Sequence, residues 1–75
     1  MTKNEFLAAL ADMLQTDTAL ADDTSLAGLE EWDSLAFMVL IAFFDKNFGK
    51  KLTFEDLSAC KTPAALMRLA GGAIQ

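Results

Sequence analysis

Ten consecutive residues, Leu35 to Phe44, carry no polar side chain, and any fold for this chain has to place them. The run is well short of the roughly 20 apolar residues a membrane-spanning helix needs, so it is not a membrane span. Asp33 and Ser34 stand immediately before it, and Asp45, Lys46, Asn47 and Phe48 lead on to Gly49. Short polar side chains favour a helix N-cap and glycine suits the left-handed residue past a helix end, so the run reads as a helix opening at Asp33 or Ser34 and closing at Gly49. A helix that is apolar all round is normally buried all round. A chain of 75 residues has room for one small core only, so at least one face of this helix is expected to stay partly open. Phe37, Val39 and Phe43 cannot all point to the same core at about 100° per residue.

The other segments punctuate themselves. From Lys3 to Leu14, apolar residues recur at three- and four-residue spacing behind a Thr2/Glu5 capping box, which predicts a first helix. Between Gln15 and Trp32 the periodicity lapses into Thr, Asp, Ser and Gly, the residues of turns and caps. So long a connection is uncommon in a compact domain unless it is functional or carries short helical turns, and Leu26 and Leu29 are expected to pin it to the core. Thr53 opens a short third helix ending near Cys60. Thr62 places Pro63 at the first position of a fourth, which runs to Gly71-Gly72. No strand is expected: the fold class is all-α, a four-helix bundle with a long loop between helices one and two and a short third helix, in a single domain over 1–75. The expected core takes Phe6, Leu7, Leu10 and Leu14 from helix one and Leu26 and Leu29 from the loop. Helix two adds Leu35, Met38, Leu40, Ile41, Phe44 and Phe48; Leu52, Leu57, Leu66 and Leu69 complete it.

Composition removes whole classes of function. There is no His and no Tyr, and Cys60 is the single cysteine, which leaves no common general base, no usual zinc ligand set and no internal disulfide. A self-sufficient enzyme is not expected. Cys60 reads as a small buried hydrophobe rather than a reactive thiol. The net charge of −5 repels a phosphate backbone and argues against nucleic acid. That charge is uneven: residues 1–45 hold nine acids against Lys3 alone, whereas 46–75 hold five bases against Glu55 and Asp56. The acidic part serves solubility or steers a basic partner. An EF-hand reading of the loop from Asp22 fails, because Leu26 and Ala27 fall where oxygen ligands and glycine are required. No phosphate-binding loop and no metal site is expected. The N-terminal ten residues lack the pattern of a secretory signal, so a cytoplasmic location is expected.

One constellation is left: Asp33-Ser34-Leu35, a serine at the mouth of a helix after a long acidic loop. It serves as an ordinary N-cap, or as a serine that carries a phosphodiester, since a helix N-terminus supplies unpaired N–H groups and a favourable dipole for an anion. With no His to act as its base, a separate enzyme would have to modify it.

The order of first helix, acidic loop with Leu26 and Leu29, Asp33-Ser34-Leu35, apolar second helix ending in Phe48-Gly49, short third helix and Thr62-Pro63 resembles the acyl carrier protein family over essentially the whole chain. The tripeptide is common by chance; its registration with four helices and the total length is not. The resemblance implies that Ser34 receives 4'-phosphopantetheine from coenzyme A through a phosphopantetheinyl transferase, and that the thiol of this arm holds acyl groups as thioesters. It further implies partners that load and transfer acyl groups, such as ligases or ketosynthases, in a fatty acid, polyketide or related secondary pathway, with the carrier itself a non-catalytic monomer. Asp33 before the serine favours acyl carriers over aminoacyl or peptidyl carriers, whose relatives more often show a Gly-Gly-His/Asp-Ser pattern.

Two departures redirect that expectation. Trp32 stands two residues ahead of the serine where the family usually has glycine, and Ala36 and Val39 stand where acids are expected, with Lys46 further on. With the docking charges depleted, Trp32, Ala36, Phe37, Val39 and Phe43 are expected to form an apolar docking face for a dedicated partner. Met38, Ile41 and Phe44 are expected on one stripe, which either packs in the core or lines a cleft for the acyl chain. The rival readings are an aminoacyl or peptidyl carrier and a plain helical interaction module in which Ser34 is only a cap.

Overall fold

Every helix begins where a short polar side chain takes up a free amide. In the computed structural model, which describes residues 1–74, these are α1 (Lys3–Leu14), α2 (Ser34–Phe48), α3 (Phe54–Ser58) and α4 (Pro63–Leu69), with no strand among the described residues. The Thr2 hydroxyl accepts the Glu5 N–H at 3.1 Å while the Glu5 carboxylate accepts the Thr2 N–H at 2.8 Å. Hydrogen bonding from Thr2, its backbone N–H first and its hydroxyl second, holds the Glu5 carboxyl below its ordinary value. The box is therefore complete above the ordinary carboxylate pKa and fades as pH falls through the lowered one. Thr53 and Asp56 repeat the reciprocal arrangement at α3, and Thr62 caps α4 ahead of Pro63. At the far end of α2, Gly49 adopts φ 65° and returns its N–H to the Asp45 carbonyl at 3.1 Å. A side chain there would meet the left-handed penalty, which is why glycine closes the helix.

The core is one cluster drawn from all four helices and the loop. Phe6 and Leu10 of α1, Leu40 and Phe44 of α2, Leu57, Leu66 and the loop's Leu26 are fully buried. Phe44 stands edge-on to Phe6 at 6.0 Å and to Phe48 at 5.1 Å, spacings at which aromatic quadrupoles attract.

The buried line of α2 is Ala36, Leu40 and Phe44, four residues apart, and this corrects three sequence readings. Leu35 and Met38 are 70% and 59% exposed rather than core. Met38, Ile41 and Phe44 do not share a stripe: each three-residue step falls about 60° short of a full turn, so Met38 lies about 120° around from Phe44. Ala36, expected on the docking face, is only 5% exposed and turns inward with Leu40. Of the other expected core residues, Leu7, Leu29, Ile41, Phe48, Leu52 and Leu69 are half-buried at the margin.

The connection between α1 and α2 is tied down by backbone rather than by helix. A 3₁₀ turn at Leu26–Gly28 inserts Leu26 into the core, its N–H donating to the Lys61 carbonyl at 2.9 Å. The Asp22 carbonyl accepts the Ala64 N–H at 3.1 Å while its carboxylate pairs with Lys3. One residue thus fastens the loop to the starts of α1 and α4.

α1 closes differently from α2. Gln15 takes the left-handed conformation, φ 55° and ψ 41°, with its N–H shared between the Ala11 and Asp12 carbonyls. It is the one non-glycine residue with positive φ among those described. That conformation costs an L-residue roughly 1–2 kcal/mol. Gln15→Gly removes the penalty but adds unfolded-state entropy, so a net gain of about 0.5–1 kcal/mol is expected. A thermal melt reads this as a rise of several degrees, at about 4–8 °C per kcal/mol for a domain of this size.

Candidate functional site

Ser34 is the first residue of α2, exposed, and its hydroxyl makes no hydrogen bond among the described residues. The cap is Asp33, whose carboxylate accepts the Ala36 N–H at 3.0 Å while its carbonyl accepts the Phe37 N–H at 3.0 Å. Asp33 therefore does the work that would have explained Ser34 as a cap, and the serine hydroxyl has no structural task. The Ser34 and Leu35 amides precede the first closed turn and pair with no carbonyl among the described residues, which leaves two donors at the positive end of a 15-residue helix.

The two flanks of this helix start differ. Toward α3, three rings stand edge to face: Trp32 to Phe37 at 4.8 Å and Phe37 to Phe54 at 5.7 Å. This ladder fastens the end of the loop across α2 to the start of α3, and it accounts for a tryptophan two residues ahead of Ser34. Toward α1 lies an open groove of about 370 Å³, lined by Met13, Leu14 and Gln15 from α1 and its cap, Glu31 and Asp33 from the loop end, and Leu35, Ala36 and Val39 from α2. None of Met38, Ile41 and Phe44 lines it.

Along the outer face of α2 run Leu35, Met38 and Val39, all exposed. Of the residues expected to dock a partner, Val39 lies on this face. Phe37 is half-buried in the aromatic ladder, and Phe43 is half-buried between Phe6, at 6.3 Å, and Phe48, at 5.7 Å. Leu35 and Met38 belong to the face and were missed because an unbroken apolar run gives no periodicity from which to read its outer side. The groove and Gln15 left no sequence signal, since both depend on how α1 ends against α2.

Cys60 is buried and its thiol donates to the Asp56 carbonyl at 3.3 Å. Burial, with a smaller contribution from the Asp56 charge, pushes that thiol above its ordinary pKa, so it stays protonated near neutrality. No group of three or more His, Cys, Asp or Glu is placed to hold a metal ion among the described residues, and no helix among them is long and apolar enough to cross a membrane.

A family model described as "Phosphopantetheine attachment site" matches residues 4–70. No curated protein and no solved structure matches the chain.

Proposed function

The chain belongs to the phosphopantetheine-attachment family, whose members covalently bind 4'-phosphopantetheine, and from that membership we propose that Ser34 is the attachment residue of an acyl carrier domain. One observation carries the assignment: an exposed serine hydroxyl, free of hydrogen bonds among the described residues, at the first position of a long helix whose cap is supplied by its neighbour. The residues present fit the group. The unpaired Ser34 and Leu35 amides and the helix dipole favour a phosphodiester on that oxygen, while the Glu31 and Asp33 carboxylates disfavour an anion lying toward the loop.

Ser34 Oγ takes the 4'-phosphopantetheine moiety of coenzyme A, forming one O–P bond as the pyrophosphate O–P bond breaks and adenosine 3',5'-bisphosphate leaves. Its proton leaves to a base of the transferase, because this chain has no His to accept it. Once attached, the arm supplies a terminal thiol that holds acyl groups as thioesters. The chain's own part is to anchor, orient and present, and catalysis rests with partner enzymes of fatty acid, polyketide or related secondary biosynthesis. The absence of a Gly-Gly pair ahead of Asp33-Ser34 supports acyl over aminoacyl cargo. The direct test is intact mass: incubation with coenzyme A and a broad-specificity phosphopantetheinyl transferase is expected to add one phosphopantetheine, and no gain with any active transferase overturns the reading.

Partner enzymes engage the exposed Leu35, Met38 and Val39 face, on which Val39 stands where an acid is expected in the family. Met38→Glu and Val39→Glu are each expected to lower kcat/KM for a cognate acyl-loading enzyme about tenfold, the equivalent of about 1.4 kcal/mol lost at a docking contact. Their melting temperatures should stay near the parent's, since exposed substitutions usually shift stability by under about 0.5 kcal/mol. Unchanged loading kinetics in both variants would remove this face from the docking surface.

A further inference from the structure

We infer that the groove between the end of α1 and the start of α2 is the resting place of the arm's amide-bearing segment, with Gln15 as its polar contact. This rests on attachment at Ser34. Asp33 and Leu35, the residues on either side of that serine, both line the groove, so an arm rooted there enters it without crossing any other surface. The opposite flank is occupied by the Trp32, Phe37 and Phe54 rings.

The lining chemistry matches this segment better than a bare hydrocarbon. Met13, Leu35, Ala36 and Val39 make an apolar floor, and Gln15, Glu31 and Asp33 make a polar rim. The arm carries a dimethyl branch and methylenes for such a floor, and two secondary amides for such a rim. Carboxylates only accept hydrogen bonds, whereas the Gln15 amide both donates and accepts, so Gln15 alone on the rim serves an amide carbonyl as well as an amide N–H. Gln15 also occupies a left-handed position where glycine would be less strained, and residues held in such conformations concentrate at ligand clamps.

Size agrees. About 370 Å³ lies at the low end of the 300–1,000 Å³ range of small-molecule sites, enough for part of the arm and too little for a long acyl chain besides. From Leu35 to Val39 the groove follows α2 for about 6 Å, and two peptide-sized units of the arm extend about 7 Å.

The test compares amide NMR spectra of the protein before and after loading, with intact mass confirming the added arm. Beyond the residues next to Ser34, loading is expected to move the Gln15 backbone and side-chain amides and the Val39 amide, while Phe54 and Asp56 stay in place. Gln15→Gly, which keeps the fold, is expected to diminish the Val39 shift in loaded protein, and Val39→Trp, which fills the groove, to abolish the Gln15 shift. Loaded protein whose changes stay within Asp33–Ala36, or spread to Phe54, overturns the inference and leaves attachment standing. Shifts that arise only when the thiol bears an acyl group assign the groove to cargo and overturn it too. Failure to gain mass overturns attachment and this inference together.

Discussion

Ser34→Ala is expected to give a folded protein that gains no mass with coenzyme A and transferase, where the parent gains one phosphopantetheine. The effect is all or none because the bond to be made is to the removed oxygen. Stability should hardly change: the hydroxyl makes no hydrogen bond among the described residues, the cap comes from Asp33, and alanine is the better helix former by a few tenths of a kcal/mol. Asp33→Ala is the control with the opposite signature, losing about 1 kcal/mol of helix capping while keeping the acceptor oxygen. The chain's other serines, Ser25 and Ser58, are the internal competitors. The Ser58 hydroxyl donates to the Glu55 carbonyl at 3.1 Å at the end of a five-residue helix, and Ser25 precedes a single 3₁₀ turn. Neither stands at the start of a long helix dipole. Mass gain persisting in Ser34→Ala would move the attachment to one of them and sink the assignment.

What could be read in advance was whatever is encoded locally. Thr2 with Glu5, Asp33, Gly49, Thr53 and Thr62-Pro63 each signal a boundary through a hydrogen bond or a backbone preference reaching no further than four residues, and all four helices lie where those residues put them. The inward side of α2 was not legible, because identity cannot mark a face when ten neighbours are all apolar. That is why the pattern alone puts Leu35 and Met38 in the core and Ala36 on the surface. Nor was the course of the loop. Leu26 is held through the Lys61 carbonyl and Asp22 through the Ala64 amide, and backbone groups are present at nearly every residue, so no side chain announces which pairs will meet. The groove beside Ser34 belongs to the same class of fact. It exists because α1 stops at Leu14 and turns through Gln15 where α2 begins, a relation between two segments 20 residues apart. Ser34 was therefore legible as a serine at a helix start, and its surroundings only in three dimensions.

That inward side has a measurable centre. Phe44→Ala is expected to cost about 3–5 kcal/mol, the usual range for removing a buried aromatic ring. Phe44 is fully buried and contacts Phe6, Phe43 and Phe48 by ring edges, so its loss opens a cavity that three other rings border and cannot all move to fill. A domain of 75 residues has about 4–11 kcal/mol of total stability at 0.05–0.15 kcal/mol per residue, so the variant should be marginal or unfolded at 37 °C. Phe44→Leu, which keeps most of the volume, should retain a cooperative transition at lower midpoint. Urea unfolding followed by far-UV circular dichroism measures both. A loss under about 1.5 kcal/mol for the alanine variant, the scale of a volume-conserving swap, would mean that Phe44 is not where the four helices converge. Because α2 presents Ser34 at one end and Phe44 on its buried side, loading should then follow the folded fraction: Phe44→Ala is expected to load in proportion to its residual helix signal, and Ser34→Ala not at all despite a full one.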